Sequence, residues 1–92
     1  MNRYETIVII DDKINKEERN NVLEKIKTFI KNNGEIEEIN DIGMRKLAYK
    51  IQKHEYGYYF QILFKANSEM IVELERIYRI TDEILKFITV RQ

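Results

Sequence analysis

Three rhythms of hydrophobic and polar residues alternate along the chain. Tyr4-Glu5-Thr6-Ile7-Val8-Ile9-Ile10 is a β-branched and aromatic run closed by the turn pair Asp11-Asp12, which predicts a strand. Its second half is too densely apolar to be wetted on both sides, so a central strand is expected. Asn15 then stands three residues before Glu18, an Asn-x-x-Glu variant of the capping box that opens a helix. Val22, Leu23, Ile26, Phe29 and Ile30 recur at helical spacing on one side, while Lys16, Glu17, Arg19, Glu24, Lys27 and Lys31 take the other. Asn32-Asn33-Gly34 is the expected stop, with glycine in a left-handed cap.

Glu35 to Ile51 reads as a long second strand with an interruption. Ile36, Ile39 and Ile42 break the period of two, and Gly43 sits among them, so a bulge is expected near Asn40–Gly43. Past it, alternation places Arg45, Leu47, Tyr49 and Ile51 on one face and Lys46, Ala48 and Lys50 on the other. His54-Glu55-Tyr56-Gly57 is the expected turn into a third strand, Tyr58 to Lys65. There Tyr58, Phe60, Ile62 and Phe64 form the better core face, opposite Tyr59, Gln61, Leu63 and Lys65. Asn67 or Ser68 caps a second helix with Ile71, Leu74, Ile77 and Tyr78 on one side. Thr81-Asp82-Glu83 interrupts that pattern, and Ile84 to Arg91 is the last strand.

The resulting order, strand–helix–strand twice over, predicts an α+β ferredoxin-like two-layer sandwich. Its sheet is antiparallel and four-stranded, in order 4-1-3-2, with both helices on one face. The expected core includes Val8, Ile26, Phe29, Ile30, Phe60, Ile62, Leu74 and Ile77. The uncovered face would carry Arg3, Glu5, Ile7, Tyr59, Gln61 and Leu63, and its apolar members make a patch of the kind that marks an interaction surface.

Composition narrows the chemistry. The 92 residues of one expected domain contain no cysteine, so disulfides, thiolate metal sites and a cysteine nucleophile are excluded. A single histidine, His54, excludes a multi-histidine metal site. As a neighbour of Lys53 and Glu55 it reads as a solvated turn residue. Ser68, the one serine, is wanted as a cap, and the three glycines form no phosphate-cradling loop. Glu35, Glu37, Glu38 and Asp41 are dense, but alternation along a strand keeps their carboxylates from converging on a cation. No cofactor, metal or small-molecule substrate is expected, and no enzyme. Without an apolar run near ~20 residues, no membrane span is expected, and a cytoplasmic protein is the default.

Charge is balanced at sixteen basic and sixteen acidic residues, yet unevenly placed. Ile42 to His54 holds Arg45, Lys46, Lys50 and Lys53 and no acid, with Tyr49 interleaved. Cations neutralise phosphates and flat rings stack on unpaired bases, so this strand is a candidate RNA surface. Lysines that merely protect an edge strand are the plainer explanation. Tyr56-Gly57-Tyr58-Tyr59-Phe60 is similar to the aromatic strand of the RNA recognition motif, but periodicity turns Tyr58 and Phe60 toward the helices, where they pack rather than stack on bases.

Several runs together resemble a specific family. They are Arg3-Tyr4-Glu5-Thr6, Asn33-Gly34, Ile42-Gly43-Met44-Arg45-Lys46-Leu47-Ala48-Tyr49, Gly57-Tyr58-Tyr59 and Tyr78-Arg79-Ile80-Thr81-Asp82. In collinear order across the chain they resemble bacterial small-subunit ribosomal protein six. The resemblance implies a structural constituent of the ribosome that binds the central domain of small-subunit ribosomal RNA jointly with small-subunit ribosomal protein eighteen, during assembly of the platform. On that basis Arg3, Arg45, Lys46, Tyr49, Lys50, Lys53 and Arg91 are the expected RNA-binding residues, with Arg3 and Arg91 near the basic strand on the sheet. Ile42, Tyr59 and Leu63 are the expected surface for the protein partner. Two departures stand out. Lys50 occupies the place of the family's usual proline, and Gln92 ends the chain without the polar or acidic tail of many members. A homodimeric ligand-sensing module of the same fold is the competing expectation. An acylphosphatase-like enzyme is disfavoured, because Asp11-Asp12-Lys13 would repel phosphate where an anion loop belongs.

Overall fold

A computed structural model describes all 92 residues. The elements run β1 (Asn2–Asp11), α1 (Lys16–Asn33), β2 (Gly34–Ile51), β3 (His54–Ala66), α2 (Ser68–Ile80) and β4 (Ile84–Arg91). The strands form one antiparallel sheet in the order β2-β3-β1-β4, the expected order read from the other edge. The two helices cover one face, giving the ferredoxin-like sandwich that the two periodicities predict.

The core lies between that face and the helices. Tyr4, Val8 and Ile10 of β1 and Phe60, Ile62, Phe64 and Ala66 of β3 meet Val22, Leu23, Ile26 and Ile30 of α1 and Met70, Leu74 and Tyr78 of α2. Asn15 caps α1 as expected: its Oδ1 accepts from the Glu18 amide at 2.8 Å. In α2 the buried stripe is Met70, Leu74 and Tyr78, spaced by four, so Ile77 is only half-buried and lies outside the core. Phe29 packs against the core's edge. One polar network crosses this interior. The Tyr78 and Thr6 hydroxyls lie 3.1 Å apart, and Thr6 and Thr89 3.0 Å apart. Burial holds the Tyr78 hydroxyl far above its ordinary pKa, so it remains a neutral partner.

Two expected turns differ in detail. Gly34 is not a left-handed cap; its φ is −174°, extended, and it is the first residue of β2. The helix end is satisfied instead by Asn33, whose side-chain amide donates to the Phe29 carbonyl at 2.9 Å. Glycine is needed there because a Cβ would stand 2.2 Å from the Lys65 carbonyl oxygen. The β2–β3 turn falls at Gln52-Lys53, not at His54–Gly57, and those four residues belong to β3. Both turn residues have positive φ, 48° and 72°, the handedness that matches the twist of a two-residue hairpin.

Candidate nucleic-acid interface

β2 is an edge strand, and three irregularities shape it. Its register against β3 shifts between Ile36 and Glu38, between Asp41 and Gly43, and between Lys46 and Ile51. The second is the expected bulge, with Gly43 at φ 91°. The third is larger: four residues, Leu47 to Lys50, face only Glu55. The strict alternation expected from Arg45 to Ile51 is therefore lost, because residues in a bulge are released from the two-residue period.

The end of this hairpin outruns the rest of the sheet. Asp11, the last residue of β1, pairs with Gly57, which pairs with Arg45 on its other side, so Lys46 to Tyr56 extend beyond the central strand. Two contacts hold the extension. Leu47 folds onto the sheet face opposite the helices and is 7% exposed, beside Ile9, also 7%. Gly57 makes room for them, since a Cβ there would lie 2.4 Å from the Ile9 Cγ2 methyl and 3.4 Å from Leu47 Cδ2. The second contact is His54, which is not a solvated turn residue. Its Nδ1 lies 2.7 Å from Asp12 Oδ1 and 3.7 Å from Asp11 Oδ1, tying the hairpin to the start of the loop after β1. Three possible metal ligands meet here, two aspartates and a histidine, but the geometry is that of a hydrogen-bonded His54–Asp12 pair.

On this extension and at its base, the expected basic residues come together. Arg45, Lys46, Tyr49, Lys50 and Lys53 are all exposed, Tyr49 to 86%. Arg45, Lys46 and Lys53 have no carboxylate partner, and Lys50 has only Glu55, at 3.9 Å. Lys53 holds a left-handed backbone where glycine would be unstrained. Replacing Lys53 by glycine is expected to raise stability in urea unfolding by about 1 kcal/mol, the cost of a left-handed side-chain-bearing residue. The same change removes one cation from the cluster.

Arg3 and Arg91 are not near this cluster. They sit at the other end of the sheet, where β1 and β4 pair Tyr4 with Arg91. Arg3 and Asp11 are eight residue steps apart along the strand, about 26 Å at ~3.3 Å per residue. Arg91 donates to Asn2 Oδ1 at 2.8 Å, and Arg3 pairs with Glu37 at 3.3 Å. The intervening sheet carries Glu5, hydrogen-bonded by Gln61, and Glu38 beside Asn40. The two basic ends are thus separated by acid, and one RNA reaches both only by running the length of the molecule.

The expected partner surface is partly assembled. Tyr59 and Leu63 share the uncovered face, half-buried, with Ile7 between them on the neighbouring strand. Ile42 lies in the second bulge, outside the paired register. Ile88 and Val90 of β4, about half exposed, extend the apolar patch toward the other edge. On the helix side Arg19 lies 3.9 Å from the centre of the Tyr58 ring, which packs beside Phe60 as periodicity predicts. The Asp41 carboxylate near its hydroxyl, and then desolvation, raise the pKa of Tyr58.

A ferredoxin-like sandwich with one sheet face open and a charged hairpin projecting from its edge defines a domain that works through its surface. Comparison with known proteins gives that class a family. The model of the ribosomal protein S6 family matches residues 3–91. The small ribosomal subunit protein bS6 of Nitratiruptor sp. is 47% identical over 99% of this chain and 72% of its own length; that of Campylobacter jejuni is 47% identical over 99% and 74%. The Helicobacter pylori protein is equally similar, and this chain spans 65% of it. The crystal structure of 30S ribosomal protein S6 from Thermotoga maritima superposes with a TM-score of 0.94 at 38% identity, covering 99% of this chain and 87% of that one. This chain belongs to the ribosomal protein S6 family, whose members are proteins of the small ribosomal subunit.

Proposed function

We propose that this protein binds the central domain of small-subunit ribosomal RNA together with small-subunit ribosomal protein eighteen, as a structural component of the cytoplasmic ribosome with no turnover of its own. The observation that carries the reading is the cluster of exposed, largely unpaired cations around Tyr49 on a free sheet edge. Desolvating a cation without a partner is costly, so residues left unpaired in the folded protein are the ones a phosphate neutralises most favourably. The chain's net charge is zero, which makes it a weak RNA binder alone and favours joint binding with a basic protein. The open face around Tyr59 and Leu63, with Ile42 near its edge, is the surface offered to that partner.

Neutralising Arg45 and Lys46 together, as Arg45→Gln and Lys46→Gln, tests it. Assembly of the two proteins on a central-domain transcript should weaken. The slope of log affinity against log salt should flatten by about 1.8, two phosphate contacts at ~0.9 each. Folding stability should stay within about 0.5 kcal/mol, because both side chains are exposed and unpaired. An unchanged slope with intact affinity would reduce the cluster to a solvated edge. In cells, the protein should co-sediment with small subunits in a sucrose gradient.

A further inference from the structure

The four-residue bulge does more than break the ladder. It folds Leu47 to Ile51 over the end of the uncovered sheet face and leaves a recess of about 130 Å³. Ile9, Leu47, Ala48, Ile51 and the Tyr59 ring form its apolar floor and walls. Tyr49 stands at its mouth with 86% of its surface exposed, and Lys86 of β4 closes the remaining side. No carboxylate lines it. We propose that this recess takes one unpaired base of the bound RNA, stacked on Tyr49, with Lys86 and Lys50 at the flanking phosphates; the proposal rests on the RNA reading above.

Size and shape suit a flat ring, and charge favours a base over an aromatic side chain from a protein partner. A cavity of roughly 150 Å³ holds a single benzene ring, so one flat ring is the occupant that fits. A base brings phosphates on both sides of it, and these meet cations at the rim. Lys86 has no carboxylate partner, and Lys50 has only the exposed Glu55 at 3.9 Å. An aliphatic side chain would cover the floor and leave those charges as they are. An exposed tyrosine beside a lysine-rich backbone track is also the arrangement by which single strands are held without base-edge readout.

The test uses this 92-residue chain, protein eighteen and the central-domain transcript, comparing wild type with Tyr49→Ala and Tyr49→Phe. Tyr49 is too exposed for its loss to unfold the chain, and melting curves check this directly. Tyr49→Ala should lower affinity about ten-fold, within the range for one base–aromatic stack, while the salt slope stays unchanged because no phosphate contact is removed. Tyr49→Phe should retain wild-type affinity. Base-specific chemical probing should reveal one unpaired base that is protected by wild type and reactive in the Tyr49→Ala complex. Unchanged affinity with no newly reactive base overturns the proposal while leaving the RNA reading intact. If Tyr49→Ala instead weakens binding to protein eighteen in the absence of RNA, the recess belongs to a protein side chain and the proposal fails. A wild-type protein that never joins the transcript defeats both readings.

Discussion

Replacing Ile26 by alanine should destabilise the protein by about 2–5 kcal/mol, the range for emptying a large aliphatic side chain from a tight core. Ile26 is 1% exposed and lies in the middle of the α1 stripe, between Val22 and Leu23 on one side and Ile30 on the other. It packs toward the helix-covered side of the sheet, where Val8 and Ile62 are as deeply buried and Phe60 nearly so. A domain of this size has a total stability of about 5–15 kcal/mol, so one such cavity removes a large share of it. The urea midpoint should fall with little change in slope, since the surface exposed on unfolding is nearly the same. A loss below about 1 kcal/mol would mean that α1 can settle into the space, and that the packing here is loose.

Gly34→Ala is the second large effect, and its cause separates two accounts of the same glycine. A residue at φ −174° is in a conformation that any amino acid adopts. In backbone terms alone, alanine should help, by about 0.4–1 kcal/mol, through a less flexible unfolded chain. The space says otherwise. A Cβ would meet the Lys65 carbonyl oxygen at 2.2 Å and the Ala66 Cβ at 3.1 Å. Because the nearest atom is backbone in a paired strand, relief requires β2 to move away from β3. The expected result is a loss of about 1–3 kcal/mol, typical of overpacking. Gly34→Asn decides between the accounts. A left-handed cap tolerates asparagine better than alanine, whereas a steric clash makes asparagine no better. Equal or greater loss with asparagine is the expected outcome of an unfolding titration on both variants.

Local rules were enough wherever neighbours in sequence are also neighbours in space. The Asn15 cap, the α1 stripe, the alternation from Tyr58 to Phe64 and the bulge at Gly43 each depend on a few adjacent residues and on one period. The edge position of β2 also followed, because the two-fold repeat of the crossover leaves few topologies to consider. What failed did so at junctions. Gly34 has a composition suited to a cap, but the helix end is satisfied by Asn33. The glycine is wanted for a strand more than thirty residues further along, and no local pattern carries that. The Met70–Leu74–Tyr78 stripe and its neighbour through Ile77 are both helical spacings; which one is buried depends on how α2 is rotated against the sheet.

The candidate interface divides along the same line. Sequence by itself determined which residues bear the charge: Arg45, Lys46, Lys50 and Lys53 around Tyr49, with no acid among them. It also determined the family, because the collinear runs survive as letters whatever their geometry. Only the tertiary structure decided that Arg3 and Arg91 lie at the far end of the sheet, that His54 is tied to Asp12, and that Leu47 turns inward while Tyr49 stays out. Lys86 enters the recess only because β4 pairs with β1 opposite Ile9. The physical reason is that charge and hydrophobicity belong to single residues, whereas proximity across strands depends on register. Along β2, three bulges and one long hairpin reset the register after the local pattern has been read.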